Sequence, residues 1–272
     1  MNWRMGDGDS ATTILDKVGS DDGTLANMDA SNYVANVSAG TFNSFSTIFN
    51  GIDQTVDCGQ AANFERTDPF SKEFYFKSTD AGTTTLMSKS ISGGTQQGII
   101  LSLRLGALRV GMYSNFGTSD YLLMASNASN FNTGVYHHMI VTHDGSSNTS
   151  GITIYIDGVL LATTSLKNTL TSTILNAEPF AIGSRAVTDL YFNGNIDEVV
   201  IYDKELSQVE VTERYNLGVV IDPLSSSVAG NVLNYWRMGD GDNATTIFDN
   251  AGSDDGTLVN MDATNYFPGV PS

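Results

Sequence analysis

The chain has 272 residues and a formal net charge of −17, from 13 Lys and Arg against 30 Asp and Glu. No two basic residues are adjacent in the sequence, which argues against a protein that binds nucleic acid or an anionic membrane. Apolar residues make up 40% of the chain, enough for a sizeable core, but no apolar run is long enough to span a bilayer, and the single Cys58 excludes an intrachain disulfide.

Short strands dominate the predicted secondary structure. The 28 Ser, 28 Thr, 23 Asn and 27 Gly favour strands and turns over helices. Alternating apolar residues between turn signals predict strands at 73–77, 84–87, 98–105, 108–113, 121–125, 136–142, 152–156, 159–163, 179–183 and 194–202. Gly106-Ala107 and Asp157-Gly158 are predicted to close two hairpins. Many short strands predict an all-β fold, a two-sheet antiparallel sandwich.

One helix is predicted after the last of these strands. Apolar residues recur near a 3.6-residue period over 206–217. Ser207 and Glu210 form a capping-box pattern at its start, and Leu217 with Gly218 supplies its end. The sandwich is therefore predicted to carry one short C-terminal helix.

A long internal repeat determines the predicted domain organisation. Residues 3–34 (the N-terminal copy) match residues 236–267 (the C-terminal copy) at a constant offset of 233, with 25 of 32 positions identical. The differing pairs are Ser10/Asn243, Leu15/Phe248, Lys17/Asn250, Val18/Ala251, Ala26/Val259, Ser31/Thr264 and Val34/Phe267. We expect a domain at 1–217, a linker at 218–233 around a Pro- and Ser-rich stretch, and a partial second copy at 234–272.

The partial copy at 234–272 has three alternative placements. It is short for an independently folding unit, yet it carries apolar residues whose burial stabilises a fold. It is either disordered, packed on its own chain at a new site, or added as strands to a neighbouring subunit. We favour the third alternative, a head-to-tail self-association by strand exchange.

Four stretches resemble laminin G-like domains of the concanavalin A-like type, in that family's order. Residues 136–145 (Tyr-His-His-Met-Ile-Val-Thr-His-Asp-Gly) resemble its Trp-His-His-Val-Ala-Val-Thr-Tyr-Asp-Gly strand, with Tyr136 in place of the usual Trp. The other stretches are 154–159, 180–185 and 192–207, which resemble its Leu-Tyr-Val-Asp-Gly hairpin, its Ile-Gly strand and its Ile-Asp-Glu-Val ending. The resemblance implies a concanavalin A-like jelly-roll. The opening Trp-Arg-Met-Gly-Asp-Gly-Asp further resembles tandem repeats in structural and fibre proteins of marine bacteriophages.

No catalytic residue is predicted, and the chain is expected not to be an enzyme. The glucanases of the resembled superfamily carry a Glu-x-Asp-x-x-Glu strand, which this sequence lacks. Asp197 and Glu198 are adjacent, so on a regular strand they lie on opposite faces and cannot pair. We expect Asp197 to orient a turn and Glu198 to be solvated.

The sequence offers candidate ligands for one metal, calcium. The three histidines, at 137, 138 and 143, match packing positions of the resembled strand, so we expect no metal there, and Cys58 is read as a small buried apolar residue. Laminin G-like domains often bind calcium at a rim. The candidate ligands here are Asp7, Asp9, Asp21 and Asp22, with copies at Asp240, Asp242, Asp254 and Asp255. The alternative reading of these residues is Asx-turn chemistry beside glycine.

The expected function is that of a non-enzymatic structural or adhesion module of a phage-type particle or surface fibre. Its expected location is extracellular or on the virion surface, and its expected partner is a glycan or host cell surface, bound through loops at the sandwich rim by residues that the sequence does not identify. Nucleic-acid binding and membrane insertion are not expected. The alternative is a carbohydrate-binding accessory module of a larger secreted carbohydrate-active enzyme.

Overall fold

The computed structural model describes residues 43–269, together with the backbone of two short strands, Thr13–Ile14 (β1) and Gly23–Thr24 (β2). The chain divides into two compact units, residues 1–42 and residues 43–272. In the first unit β1 and β2 pair antiparallel, with Thr13 opposite Thr24 and Ile14 opposite Gly23.

The second unit is a two-sheet sandwich. Its strands are, in chain order, Ser46–Asn50 (β3), Thr55–Asp57 (β4), Pro69–Lys77 (β5), Thr83–Ser90 (β6), Gly98–Arg104 (β7), Ala107–Asn115 (β8), Asp120–Ser126 (β9), His137–Asp144 (β10), Ile152–Ile156 (β11), Val159–Leu160 (β12), Thr163–Asn168 (β13), Phe180–Ile182 (β14), Asn193–Tyr202 (β15), Val232–Trp236 (β16), Thr246–Ile247 (β17), Gly256–Val259 (β18) and Tyr266–Phe267 (β19). Sheet I has the order β12-β11-β10-β5-β15-β3-β19, with β16 also paired to β15. Sheet II has the order β13-β9-β8-β7-β6-β14-β4-β18-β17.

The predicted fold class is confirmed. All strand pairs within the two sheets are antiparallel. The apolar residues that alternate along the strands meet between the sheets, for example Leu101 and Val110 of sheet II and Phe74 and Ile154 of sheet I. The unit is therefore a two-sheet antiparallel sandwich with its core between the two sheets.

The two predicted hairpins form, one of them with a shifted turn. Asp157 and Gly158 have φ angles of 51° and 76°, as a two-residue hairpin turn requires. In the β7–β8 hairpin the left-handed residues are Leu105 and Gly106, and Ala107 already belongs to β8. The turn thus lies one residue earlier than the sequence predicted.

The capping box of the predicted helix is confirmed. The helix, Gln208–Tyr215 (α1), begins after Ser207, whose side chain accepts from the Glu210 amide while the Glu210 side chain accepts from the Ser207 amide. It ends at Tyr215 because Asn216 adopts a left-handed conformation, with φ 43°. The stop expected at Leu217 and Gly218 falls in a short 3-10 turn instead.

The C-terminal copy is part of the sandwich. Strand β16 pairs with β15, β19 pairs with β3, β18 pairs with β4, and β17 extends the edge beyond β18. The boundary between the two compact units falls between residues 42 and 43, and residues 236–267 belong to the second unit. The physical reason is burial, because Trp236, Met238 and Ile247 lie in the core shared with the rest of the unit.

Among the described residues, no helix combines the length and the hydropathy that a membrane span needs.

Candidate functional site

The outer face of sheet II carries a polar and aromatic surface. Leu101 and Leu103 of β7 lie in the core, so Ser102 and Arg104 point outward. On the neighbouring strand β8, the same alternation places Arg109, Gly111 and Tyr113 outward. Strand pairing then sets Arg109 opposite Ser102 and Gly111 opposite Ile100.

These residues line a groove of about 200 Å³, which we call the arginine groove. Its lining residues are Thr83, Thr85, Gln96, Ile100, Ser102, Arg104, Arg109, Gly111, Tyr113, Phe116, Leu123, Arg185 and Leu190. Three of them are arginines and none is Asp or Glu, although the chain as a whole carries a net charge of −17. The groove is therefore a local basic site on an acidic protein.

The three arginines are not equivalent. Arg185 forms a two-pronged ion pair with Asp189, at 2.7 Å from Nε to Oδ1 and 2.6 Å from Nη2 to Oδ2. Arg109 is half-buried, and its buried Nε has no hydrogen-bond partner. Burial and the neighbouring Arg104 lower the pKa of Arg109. An anion in the groove would offset the repulsion between the two cations.

Aromatic rings form one end of the groove. The Tyr113 ring lies directly over Gly111, where a Cβ atom would come within 2.3 Å of Tyr113 Cε2. The Tyr113 centroid is 5.2 Å from that of Tyr121 and 6.2 Å from that of Phe116. Gly111 thus allows an aromatic side chain to lie flat on the sheet, and the rings offer apolar surface beside the arginines.

The loop between β14 and β15 borders the groove through Arg185 and Leu190. Three non-glycine residues in it have positive φ, Ala186 at 53°, Val187 at 62° and Leu190 at 48°. A β-branched residue in this region is strained, and such strain is concentrated at binding and catalytic sites. The loop is held by the Thr85 amide, which donates to the Leu190 carbonyl at 2.8 Å.

The sequence did not reveal this groove. Arg104 and Arg109 are five residues apart and Arg185 lies far along the chain, so no basic cluster is visible. The available signal was the alternation of β7 and β8, which puts both arginines on the outer face of one hairpin. Rim loops were the expected glycan site, whereas this groove lies on a sheet face.

Asp197 and Glu198 occupy positions that differ from the prediction. The register of β15 against β5 shifts between Asp197 and Val200, and Glu198 has φ 49°. This bulge inserts one residue, so Ile196 and Val199 both reach the core and the two acidic residues between them lie on the other face. The expectation of opposite faces assumed a regular strand, and the expectation that Glu198 is solvated is wrong, because it is only 3% exposed.

The acidic pair is closed to substrate. Asn43 Nδ2 donates to Asp197 Oδ2 at 2.6 Å, the Tyr235 hydroxyl donates to Glu198 Oε2, and Arg237 Nε lies 3.8 Å from Glu198 Oε1. Burial raises the pKa of both carboxyl groups, that of Glu198 to about 8. Glu198 of sheet I thus contacts Tyr235 and Arg237, and the side chains of the C-terminal segment cover the acidic pair.

The three histidines have local partners. His137 Nδ1 lies 3.0 Å from Asp157 Oδ2, and His138 Nε2 lies 3.0 Å from Glu73 Oε1. His143 Nδ1 lies 3.2 Å from a backbone carbonyl, and burial lowers its pKa. Across residues 43–269 no group of three or more His, Cys, Asp or Glu side chains has the arrangement of a metal site. Cys58 is fully buried, as a small apolar residue would be.

The calcium candidates Asp7, Asp9, Asp21 and Asp22 lie outside the described residues, but their copies are described. Asp240 accepts from the amides of Ser44 and Phe45, and Asp242 accepts from those of Gly239 and Phe248. Asp255 Oδ1 accepts from the Asp249 amide, and Asp254 Oδ2 accepts from Asn234 Nδ2 at 3.1 Å. These carboxylates cap backbone and amide donors, and calcium binding stays a prediction.

The chain was compared with protein-family models and with curated protein sequences. The family model described as "Concanavalin A-like lectin/glucanases superfamily" (Laminin_G_3) matches residues 50–212. The comparison with curated protein sequences found no match.

Several solved structures resemble this chain at low identity. A candidate carbohydrate-binding protein from Bacteroides ovatus is 16% identical, with a TM-score of 0.56 over 84% of this chain and 61% of that chain. The heptameric SAP-like pentraxin of Limulus polyphemus is 15% identical, with a TM-score of 0.48 over 64% and 82%. Domains LG4-5 of the mouse laminin α1 chain are 12% identical, with a TM-score of 0.44 over 60% and 46%. This chain therefore spans about three fifths of the Bacteroides protein, and the likeness concerns the fold alone.

Proposed function

The chain belongs to the concanavalin A-like lectin/glucanases superfamily, and from this we propose that it is a non-catalytic carbohydrate-binding module whose arginine groove binds a sugar carrying a carboxylate. Carbohydrate binding is also the role given to the Bacteroides protein of the same fold. The finer assignment depends on the chemistry of the groove in this chain.

The position of Arg109 in the groove is the main support for this function. Arg109 lines the groove together with Arg104, and no Asp or Glu lines the groove with them. A guanidinium binds a carboxylate through two parallel hydrogen bonds, which gives both energy and orientation. A neutral sugar has no anionic group with which to offset the repulsion between the two cations. The exposed ring of Phe116 and the nearly buried ring of Tyr113 supply the apolar surface against which a sugar ring can pack.

Calorimetric titration of the full chain tests this function. A glucuronic acid-containing oligosaccharide is expected to bind, and its neutral glucose counterpart is expected to bind at least tenfold more weakly, a difference of about 1.4 kcal/mol. Added salt should weaken the acidic ligand's binding because the attraction is between charges. Arg109→Ala should abolish the preference, while Arg66→Ala, an arginine outside the groove, should retain it. Equal affinity for the acidic and neutral sugars would contradict the assignment.

We further propose that the module acts in adhesion, as part of a phage-type particle or surface fibre at an extracellular or virion surface. The internal repeat supports this placement, because its opening Trp-Arg-Met-Gly-Asp-Gly-Asp resembles tandem repeats in structural and fibre proteins of marine bacteriophages. The alternative is an accessory module of a secreted carbohydrate-active enzyme. Gene context separates the two, since neighbouring tail or capsid genes favour the first and a fused hydrolase favours the second.

A further inference from the structure

The sandwich depends on the C-terminal copy for its closure. We call β3, β4 and β15 the acceptor strands, because β19 and β18 pair with β3 and β4, and β16, which enters the copy at Trp236, pairs with β15. Trp236 is fully buried, its ring centroid lies 5.6 Å from that of Phe180, and its Nε1 donates to a backbone carbonyl at 2.9 Å. The copy is thus held by strand pairing to the acceptor strands and by the burial of Trp236 against Phe180 of β14.

The N-terminal copy has the same sequence at every buried position. Within 236–267 the buried residues are Trp236, Met238, Gly239, Ile247, Asp249, Gly256 and Leu258. Their counterparts are the identical residues Trp3, Met5, Gly6, Ile14, Asp16, Gly23 and Leu25. The seven substitutions all fall at positions that are exposed in the C-terminal copy or, at Val259, half-buried. The buried residues of the repeat are therefore identical in the two copies, whereas two positions paired with the acceptor strands, Val259 opposite Thr55 and Phe267 opposite Ser46, are Ala26 and Val34 in the N-terminal copy.

One close contact shows why both copies need glycine at the same position. A Cβ atom at Gly256 would lie 2.5 Å from Val56 Cγ1 of β4 and 3.2 Å from Cys58 Sγ, so only glycine fits against the acceptor strand. The N-terminal copy keeps glycine at the matching position, Gly23.

The backbone of the N-terminal copy has the same hairpin register. Thr13 pairs with Thr24 and Ile14 with Gly23 in the first unit. Thr246 pairs with Thr257 and Ile247 with Gly256 in the sandwich, at the same offset of 233.

From these observations we infer that residues 3–34 are a second closing segment, which binds the acceptor strands of another copy of this chain and links the copies head to tail. Residues 3–34 would bind as added β-strands at the edges of both sheets. Such a contact joins different surfaces of the two chains, so it can propagate as a filament.

The two copies differ at the residues just before the repeat. This difference determines which copy the acceptor strands bind more tightly. Tyr235 donates to Glu198, and Asn234 Nδ2 donates to Asp249 Oδ2 at 2.7 Å. The corresponding residues before the N-terminal copy are Asn2 and Met1, which cannot make these contacts in the same way. The chain's own C-terminal copy therefore holds the site, and exchange occurs when that copy is weakened or withdrawn.

The experiment uses the fact that the chain has two tryptophans, one in each copy. In a full-length Trp236→Phe background, Trp3 is the sole indole and its emission reports burial of the N-terminal copy. Adding Ile247→Asp places a charge at a fully buried position of the C-terminal copy. We expect the chain to remain folded, the Trp3 emission maximum to shift to the blue, and light scattering to give a mass of two or more chains that grows with concentration.

The matched control adds Ile14→Asp to that variant, which disables both copies. We expect this protein to lose the blue shift and to melt at a lower temperature, whereas Ile14→Asp alone should leave the melting temperature unchanged. If the Ile247→Asp variant unfolds as completely as the double variant, the N-terminal copy does not bind the acceptor strands. A blue-shifted Trp3 in a strictly monomeric protein would place the copy in its own chain and overturn the link between chains. Glycan binding at the arginine groove is measured separately and does not affect either outcome.

Discussion

Gly111→Ala tests how the arginine groove is built. A methyl group at Gly111 would come within 2.3 to 2.5 Å of Tyr113 Cε2, Oη and Cζ. Carbon atoms in contact normally lie about 3.5–4.0 Å apart, so the ring must move by about 1 Å or more. Gly111 does not have a positive φ, so the backbone accepts alanine and the ring contact is the only cost.

The expected magnitudes follow from that displacement. Overpacking of this kind costs about 1–3 kcal/mol. In a unit of this size each kcal/mol lowers the melting temperature by about 2–4 °C, so we expect a decrease of about 2–12 °C. The displaced ring must leave the sheet surface and enter a groove of about 200 Å³. Affinity for the acidic sugar should fall at least tenfold, or about 1.4 kcal/mol.

Calorimetric melting and titration of three variants separate the causes. Gly117→Ala is the matched control, because its Cβ would meet only Asn115 Oδ1, at 3.3 Å. Tyr113→Ala removes the ring, so adding Gly111→Ala to it should cost no further stability, a non-additive result expected of groups in contact. If Gly111→Ala melts and binds like the wild type, or costs as much without the Tyr113 ring as with it, the described ring position is refuted.

Three further outcomes are expected. Trp236→Ala should destabilise the sandwich by about 3–5 kcal/mol in urea unfolding, because it empties a fully buried site; a loss below about 1 kcal/mol would mean that the C-terminal copy is not part of the core. Gly158→Val should cost about 1–3 kcal/mol in thermal melting, since Gly158 has φ 76° and an added Cβ would lie 2.6 Å from Tyr215 Cδ1; an unchanged melting temperature would contradict the turn. Because burial raises the pKa of Glu198 to about 8, the folded protein holds its proton more tightly than the unfolded chain, so this group's contribution to stability is lost as pH rises from about 4.5 to about 8. Glu198→Gln should flatten the pH dependence of urea unfolding over that range, with Asp197 retaining part of the slope; an unchanged slope would show that Glu198 is ionised in the folded state.

Local features of this protein were readable from the sequence. Ser207 and Glu210 cap a helix start by contacts within one turn, so their pattern predicts the structure directly. Asp157 and Gly158 close a hairpin for the same reason. The apolar alternation of the strands determined the sandwich, because the side-chain period of a strand is set by its own backbone. The resemblance at 136–145 and 192–207 then indicated the superfamily.

What the sequence did not reveal depends on pairing between distant residues. Arg104, Arg109 and Arg185 become neighbours only through strand register and the loop before β15, so their shared groove has no linear motif. Glu198 lies on a different face of β15 from the one predicted, because one inserted residue shifts the side-chain alternation. Such a bulge is defined by the partner strand as much as by the residues of the bulged strand.

The position of the C-terminal copy shows most clearly which features the sequence determined and which only the tertiary structure determined. Its repetition was evident from the sequence, as was its apolar character. Because the buried residues of the two copies are identical, the sequence alone could not say which copy the acceptor strands bind. The tertiary structure placed residues 236–267 there, beside Tyr235 and its hydrogen bond to Glu198. The physical reason is that the closure of a sandwich is a property of edges brought together by the whole fold, whereas a repeat is a property of the chain.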